Sequence, residues 1–367
     1  MFNYIFVGGR FGPKQKESSF IRKLFNVLYN INPNGLLKNG GRYCDLSLFV
    51  RTFEHIKNDV IFWMPDVSND EEKLVDQIKN KSPYSLLITS KNNLEGKYSF
   101  LDLVSRALKV KANLCLEFTK DEKGKIVGML FDPLGNQFCK TSDITLLAVT
   151  MMNRIQELLR YTRMASKPES KFSPHIPEEN PQQFFELVRD YAEVFHNCIH
   201  GINTTRFLGN ASFRCERGFP SYMGTNGAIC VSQRNIDKRA IGPENFVPVG
   251  LRFDGGVSYV NYWGEHKPSV DTPVQVMLYH FYHHMKFMLH SHTYIKDAPF
   301  TSNRIPCGAI EEFYEILRVK PNPETRSMGV NLLGHGSIVM VDHLSKMLTI
   351  DYYPRPQPEI VPLIEID

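Results

Sequence analysis

The chain has 367 residues, of which 42% are hydrophobic and 22% charged, and this composition is typical of a soluble globular protein with room for two domains. A net charge of +4 at pH 7, without a long basic run, is too small to predict nucleic acid or an anionic membrane as a partner, and we expect neither. No apolar stretch reaches the roughly 18 residues of a membrane span, and the start of the chain lacks the features of a signal peptide. The seven cysteines include no CxxC pair, which predicts free thiols and a cytoplasmic protein.

The first part of the chain, residues 1–165, is predicted to alternate strands and helices. Apolar spacing predicts strands over 4–7, 59–64, 84–88, 112–118 and 125–131, and helices over 18–29, 71–78, 100–108 and 143–163. The continuous apolar run 59–64 is what a strand covered on both faces requires. We therefore expect a three-layer, Rossmann-like α/β domain with a mainly parallel sheet.

A glycine-rich segment, Gly8-Gly9-Arg10-Phe11-Gly12, follows the first predicted strand. A phosphate-binding loop for a nucleotide is one interpretation, although the segment fits neither GxGxxG nor GxxxxGK[ST]. A plain turn that ends the strand is the other interpretation. The segment therefore leaves the role of the first domain open.

Proline and serine become frequent over residues 166–180, which we interpret as a linker. A second domain is expected over 181–367. It is predicted to contain an amphipathic helix over 184–200, short β segments, a helix over 272–284 and a strand over 285–289 that leads into His290.

Three histidines of the second domain are candidate metal ligands. In His290-Ser291-His292, residues i and i+2 of a strand point to the same side, so both imidazoles can reach one ion. His335 lies between two glycines, which permit a close approach of the backbone. Three imidazoles with an open position are typical of a catalytic zinc site.

Further motifs accompany these histidines at regular distances. Pro268-Ser269-Val270-Asp271 precedes His290, and Gly209-Asn210 and Val231-Ser232-Gln233 lie upstream. In this order of motifs, residues 180–345 resemble the class II aldolase/adducin family. The resemblance implies that the second domain has the α/β/α fold of that family.

The resemblance also implies an activity. Enzymes of this family are metal-dependent carbon–carbon lyases or epimerases, which act on sugar phosphates or related activated sugars through an enediolate. By the resemblance, His290, His292 and His335 would bind Zn²⁺, or alternatively Mn²⁺. Asp271 would be the acid–base or a fourth ligand, and its setting before Thr272-Pro273 is similar to that in pentulose-phosphate 4-epimerases. The anionic end of the substrate would be held by Gly209, Asn210, Ser232 and Ser269, and the chain would form a homo-oligomer, with a tetramer as the family's usual state.

Two departures concern the recognition of phosphate. Val270 and Gln233 stand where relatives have a serine and a glycine, and Arg214, Arg234 or Lys238 could compensate. For proton transfer we predict Glu311 in preference to its neighbour Glu312, although both also suit the first turn of an ordinary helix. Cys307 is expected to be a packed thiol.

Two other functions remain open on sequence grounds. The adducin branch of the family keeps the fold as a non-catalytic scaffold or binding protein. A bifunctional enzyme would instead combine the metal site with nucleotide binding in the first domain. The retained histidines favour an enzyme over a scaffold.

Overall fold

Two sheets organise the chain, one in each of two units. The computed structural model describes residues 1–9, 19–39, 46–53, 58–65, 72–82, 85–164, 166–171, 182–196, 207–215, 228–254, 257–348 and 350–353. Within these residues the first unit spans Met1–Leu159, and the second runs from Arg160 to the end of the described chain.

The first unit contains a seven-stranded sheet with the order β2-β1-β3-β4-β5-β6-β7. Neighbouring strands are parallel from β2 to β5, whereas β6 and β7 are antiparallel. The mainly parallel sheet predicted from the sequence is therefore confirmed. The strands are β1 (Tyr4–Gly9), β2 (Gly35–Asn39), β3 (Val60–Pro65), β4 (Leu86–Asn92), β5 (Leu114–Lys120), β6 (Ile126–Phe131) and β7 (Gln137–Thr141).

Helices cover both faces of this sheet. Phe62 belongs to a core that α1 and α5 complete, whereas the neighbouring Trp63 points to the other face and contacts Phe49 of α2. Asp143 caps the start of α5 by accepting a hydrogen bond from the backbone N–H of Thr145 at 2.8 Å. This arrangement gives the expected three layers. The helices are α1 (Ser19–Ile31), α2 (Leu46–Thr52), α3 (Glu72–Lys81), α4 (Phe100–Lys109) and α5 (Ile144–Met164).

The second unit contains an eight-stranded sheet with the order β14-β15-β13-β9-β10-β11-β12-β8. It is antiparallel apart from the parallel pair β12 and β8. Residues 167–170, which the sequence places in a linker, form strand β8 of this sheet. The strands are β8 (Lys167–Ser170), β9 (Asn210–Cys215), β10 (Ala228–Ser232), β11 (Phe246–Asp254), β12 (Val257–Trp263), β13 (Phe287–Ser291), β14 (Ser327–Leu332) and β15 (Gly336–Val341).

Two apolar cores lie on opposite faces of the second sheet. Phe184 and Phe185 of α6 pack against Phe213 on one face, and residues of α8 and α9 pack on the other. The α/β/α layering expected for this domain is therefore present. The helices are α6 (Gln182–Asp190), α7 (Ala192–His196), α8 (Thr272–Phe281) and α9 (Glu311–Val319). No helix in the described part of the chain is both long and apolar enough to cross a bilayer.

Candidate metal centre

The three predicted histidine ligands lie together at one end of the central strands of the second sheet. His290 is in β13, where it is paired with Asn210 of β9 and Ile338 of β15. His292 follows the end of β13, and His335 lies in the turn between β14 and β15. The centroids of the three rings are 4.7 to 5.2 Å apart, and one nitrogen of each ring lies within 4.8 Å of the others.

Two of these imidazoles are oriented by acceptors behind them. The Nδ1 of His290 lies 3.0 Å from the carbonyl oxygen of Ser337, and the Nδ1 of His335 lies 2.6 Å from Oε1 of Glu312. A carbonyl can only accept, so Nδ1 of His290 carries a proton and its Nε2 is left with the lone pair. Such partners set the tautomer and orientation of imidazoles that bind metals.

The Nε2 atoms of His290 and His335 test whether a cation fits here. Both atoms are buried, and neither has a hydrogen-bond partner among the residues that the structure describes. Buried polar atoms without partners are rare in native proteins because leaving them unsatisfied costs free energy. A divalent cation bound to the lone pairs would satisfy both atoms, so the donor set fits a metal ion.

Asp271 faces the same two nitrogens. Its Oδ2 lies 3.6 Å from Nε2 of His290, and its Oδ1 lies 3.9 Å from Nε2 of His335. Asn210 and Ser269 donate hydrogen bonds to Oδ2 at 3.0 and 3.3 Å, whereas Oδ1 accepts none among the described residues. The carboxylate is therefore held in place with one oxygen available. Imidazoles together with a carboxylate suit zinc, and also manganese.

The residues predicted to bind the substrate adjoin Asp271, but their polar atoms are used inside the protein. Asn210 donates to Ser269 Oγ at 2.9 Å and accepts from Gln275. The hydroxyl of Ser232 accepts the backbone N–H of Ala211 at 3.1 Å. Asn210 and Ser232 are buried, so their visible role is to position Asp271 and the strand ends.

Gly209 is required by its packing rather than by a ligand contact. Its φ of 72° lies in the left-handed region, and an added Cβ would come within 2.7 Å of the carbonyl oxygen of His290. Gly209 therefore lets the start of β9 lie directly against the strand that carries His290.

The structure places Glu312, and not Glu311, against the histidines. Glu311 is half-buried and forms an ion pair with Arg160 at 2.5 Å, whereas Glu312 is buried against His335. Consecutive residues of a helix point about 100° apart, so only one of the two can face the cluster. Among the described residues, Glu311 makes no contact with the histidines or Asp271 that would support its predicted role in proton transfer. The buried residues Phe313 and Ile316, at i+1 and i+4 from Glu312, are the sequence signal that identifies the inward carboxylate.

Cys307 is a further neighbour that sequence reasoning does not assign to the site. Its sulfur lies within 4.8 Å of ligand atoms of both Asp271 and His335. Burial raises the pKa of the Cys307 thiol. Its place beside the histidines is decided by the turn at Gly308, whose φ of 79° and close contact with the Val270 backbone fix the segment.

The pKa values of the two buried histidines move in opposite directions. Burial, with the neighbouring His335, lowers the pKa of His290 to about 4, so this imidazole is neutral at pH 7. Burial also acts to lower the pKa of His335, but Cys307 and Glu312 outweigh it and raise that pKa well above the ordinary value. Without a metal, His335 therefore retains a proton near neutral pH.

Zinc affinity is consequently expected to rise with pH through neutrality. Zinc must displace the proton of His335, and below the raised pKa of this group the affinity should increase about tenfold per pH unit. His290, which is already neutral, adds no slope in this range. Competition titrations with a chromophoric chelator between pH 6 and 8.5 measure the slope, and a flat profile would contradict the protonated state of His335.

Glu312→Gln is expected to weaken zinc binding roughly 10- to 100-fold, as loss of a carboxylate behind a ligating histidine does. The substitution keeps the size of the side chain but removes the charge that raises the basicity of His335. The matched control is Glu311→Gln, which removes the same charge one residue away and should leave affinity unchanged. Equal effects of the two variants in chelator competition at pH 9, where protons compete least, would refute the role of Glu312.

Gly336→Ala is expected to destabilise the protein by more than about 3 kcal/mol. Its φ is 143°, and an added Cβ would overlap the carbonyl oxygen of Ser291 and lie 2.6 Å from Cα of His292. Gly96→Ala is the control, because Gly96 also has a positive φ, 65°, but has no atom within 4 Å of the added carbon. Urea denaturation should show the larger loss for Gly336→Ala, and equal losses would contradict the close approach.

No model of a known protein family matches the chain, and no curated protein matches it. Among solved structures, the chain is similar to a DNA/pantothenate metabolism flavoprotein from Streptococcus pneumoniae, at 12% identity and a TM-score of 0.33, over 42% of this chain and 99% of that chain. It is also similar to YgbL from Escherichia coli, provisionally described as an aldolase/epimerase/decarboxylase, at 12% identity and a TM-score of 0.31, over 47% of this chain and 92% of that chain. These likenesses are too weak to assign a function to this chain.

Proposed function

We propose that the second unit is a divalent-metal enzyme of the lyase or epimerase type, which breaks or re-forms a carbon–carbon bond next to a carbonyl group. The observation that carries the proposal is the convergence of the buried Nε2 atoms of His290 and His335 on the carboxylate of Asp271. A non-catalytic scaffold has no need for a buried group of this kind. The resemblance of the sequence motifs to class II aldolases adds the substrate class, a phosphorylated or otherwise activated sugar.

The histidines would hold zinc, or alternatively manganese. When bound, the ion would supply Lewis-acid polarisation of oxygens on the substrate. One ring nitrogen of His292 lies within 4.8 Å of nitrogens of the other two imidazoles, and Glu312 contacts Nδ1 of His335. The three histidines would therefore supply three nitrogen ligands, and the carboxylate of Asp271 faces two of them.

Asp271 is the group placed to move a proton. Its Oδ2 is fixed by Asn210 and Ser269, while Oδ1 accepts no hydrogen bond among the described residues. A carboxylate with a free oxygen can take a proton from a substrate hydroxyl or carbon and return it later. In this proposal Asp271 is the acid–base, and Glu311 is paired with Arg160.

Solvent exchange tests the proposed chemistry directly. The full-length, zinc-loaded protein would be incubated in D₂O with dihydroxyacetone phosphate, and deuterium incorporation next to the carbonyl followed by NMR. We expect exchange that disappears when zinc is removed and returns when it is restored. Stoichiometric zinc binding without exchange of this or other phosphorylated hydroxyketones would favour the scaffold.

The oligomeric state is part of the same proposal. By the resemblance to class II aldolases, we propose a homo-oligomer, with a tetramer as the expected state. Light scattering of the purified chain tests this, and a monomer at all concentrations would contradict it.

The first unit offers a second candidate function, the binding of a nucleotide-type ligand. The strand order of its parallel part, β2-β1-β3-β4-β5, reverses between β1 and β3, and ligands of such sheets bind at the carboxyl ends of the strands at this reversal. Gly9 ends β1 there with a φ of 95°. Residues 10–12 of the glycine-rich segment lie outside the described residues. Thermal shift of the full-length chain with a panel of nucleotides is the test, and an unchanged melting temperature throughout would contradict this candidate.

A further inference from the structure

The turn that follows strand β10 brings one arginine close to the proposed acid–base. Ser232 accepts the backbone N–H of Ser269 at 3.1 Å, and the backbone N–H of Arg234 donates to Lys267 at 2.9 Å. Asn235, with a φ of 60°, fixes the turn by accepting the backbone N–H of Phe207 at 2.9 Å. The segment that carries Arg234 is therefore paired with residues 267–269. Asp271 follows two residues after Ser269 on that partner segment.

The guanidinium of Arg234 is unpaired within the described part of the chain. It forms no hydrogen bond or ion pair with any residue that the structure describes, and its side chain is exposed. Burial lowers the pKa of Arg234, whereas the electrostatic influence of Asp271 and Tyr262 acts to raise it. The guanidinium is therefore reached by water and yet close enough to Asp271 to interact with its charge.

The other two cations named from the sequence donate hydrogen bonds to backbone carbonyls inside the protein. Arg214 donates to the carbonyl oxygen of Tyr279 at 2.6 Å, and Lys238 is buried and donates to that of Leu208 at 3.1 Å. Both therefore serve as internal supports. Of the three cations that the sequence offers for the recognition of an anion, Arg234 alone remains available within the described part of the chain.

We infer that Arg234 is the specificity-determining residue that binds an oxyanion group of the substrate, a phosphomonoester or a carboxylate, while the rest of the substrate reaches the histidines and Asp271. A guanidinium presents paired donors in the geometry of an oxyanion and stays charged at neutral pH. The polar side-chain atoms of Asn210 and Ser232 are buried and hydrogen-bonded inside the protein, so another residue is needed to bind the anion. The inference rests on the proposed function.

Three hydroxamates separate the two claims. Glycolohydroxamate tests binding at the metal alone, phosphoglycolohydroxamate adds a phosphomonoester, and malonic monohydroxamate adds a carboxylate. Calorimetric titration of the full-length, zinc-loaded protein would give each affinity. We expect at least one anionic compound to bind more tightly than glycolohydroxamate, and the larger gain identifies the preferred oxyanion.

Substitution assigns that gain to Arg234. Arg234→Gln should reduce affinity for the preferred anionic compound roughly 10- to 100-fold, the range for hydrogen bonds to charged groups, and leave glycolohydroxamate binding unchanged. Arg234→Lys should restore only part of the loss, because lysine lacks the paired donors. Arg239→Gln is the matched control: it removes the same charge from a nearby exposed arginine that is paired with Asp237, and should have no effect.

Failure of the anion-binding role of Arg234 and failure of the proposed function give different results. If glycolohydroxamate fails to bind the zinc-loaded protein, the proposed function fails. If glycolohydroxamate binds but neither anion adds affinity, or if Arg234→Gln keeps the full gain, the role of Arg234 is refuted while the metal site stands. An equal loss in Arg239→Gln would also refute it, because the effect would then be general electrostatics.

Discussion

Replacing His290 with asparagine is expected to weaken zinc binding more than about 100-fold. Loss of a residue that only hydrogen-bonds to a metal ligand costs roughly 10- to 100-fold, and loss of the ligand itself should cost more. The substitution removes Nε2, one of the two buried nitrogens that face Asp271. The asparagine amide can still donate to the carbonyl oxygen of Ser337, which now accepts from His290, so the strand pairing should persist. The loss therefore reports on the metal ligand and not on unfolding.

His266→Asn is the control, because it makes the same change at a histidine outside the candidate metal centre. His266 is exposed and belongs to none of the clusters that could hold a metal in the described part of the chain. Both variants would be titrated with zinc against a chelator, and circular dichroism would verify the fold. Equal zinc affinities for the two variants would place the metal elsewhere.

Asp271→Asn is expected to slow solvent deuterium exchange about 10²- to 10⁴-fold, the usual contribution of a general acid–base. The amide has nearly the shape of the carboxylate but cannot accept a proton at the oxygen that Asp271 leaves free. The substitution could also disturb the hydrogen bonds that Asn210 and Ser269 donate to Oδ2 of Asp271, and with them the adjoining metal site. The rate should therefore be measured with saturating zinc, so that a weaker metal site does not imitate a lost acid–base.

Glu311→Gln serves as the comparison for this variant. In the structure Glu311 is paired with Arg160, away from the histidines, so exchange should continue at the wild-type rate. The reverse pattern, with exchange lost in Glu311→Gln and kept in Asp271→Asn, would restore the role that the sequence alone assigns to Glu311.

Long apolar patterns allowed much of the fold to be predicted. The strand predicted over 59–64 is β3, Val60–Pro65, and the helix predicted over 143–163 is α5, Ile144–Met164. Strand β2 was missed because Gly35-Leu36-Leu37-Lys38-Asn39 is short and is bounded by asparagine and glycine, which favour turns. Its pairing with β1 is a tertiary contact that local propensity does not encode.

Helix ends were predicted less well than helices. Residues 184–200 were expected to form one helix, but α6 ends at Asp190 and α7 begins at Ala192, while 197–200 lie outside the described residues. The helix predicted over 272–284 ends at Phe281, because Tyr282 takes a non-helical conformation with φ −96° and ψ 72°. Such endings depend on local caps and packing that periodicity does not show.

At the site, spacing identified the residues but not their contacts. Asn210 and His290 are far apart in sequence, and only the register of β9 with β13 makes them direct neighbours. The choice between Glu311 and Glu312 depended on which face of α9 is buried. Cys307 was expected to be an ordinary packed thiol, and the turn at Gly308 places it beside His335.

Anomalous diffraction from zinc-soaked crystals tests the central claim most directly. We expect one strong peak at the zinc edge, with metal–nitrogen distances of about 2.0–2.1 Å to imidazoles of His290, His292 and His335. An exposed group formed by His283, His284 and Glu324 could also hold zinc and provides the alternative location. A peak at that surface group alone, with none among the three predicted histidines, would contradict the metal centre proposed for this protein.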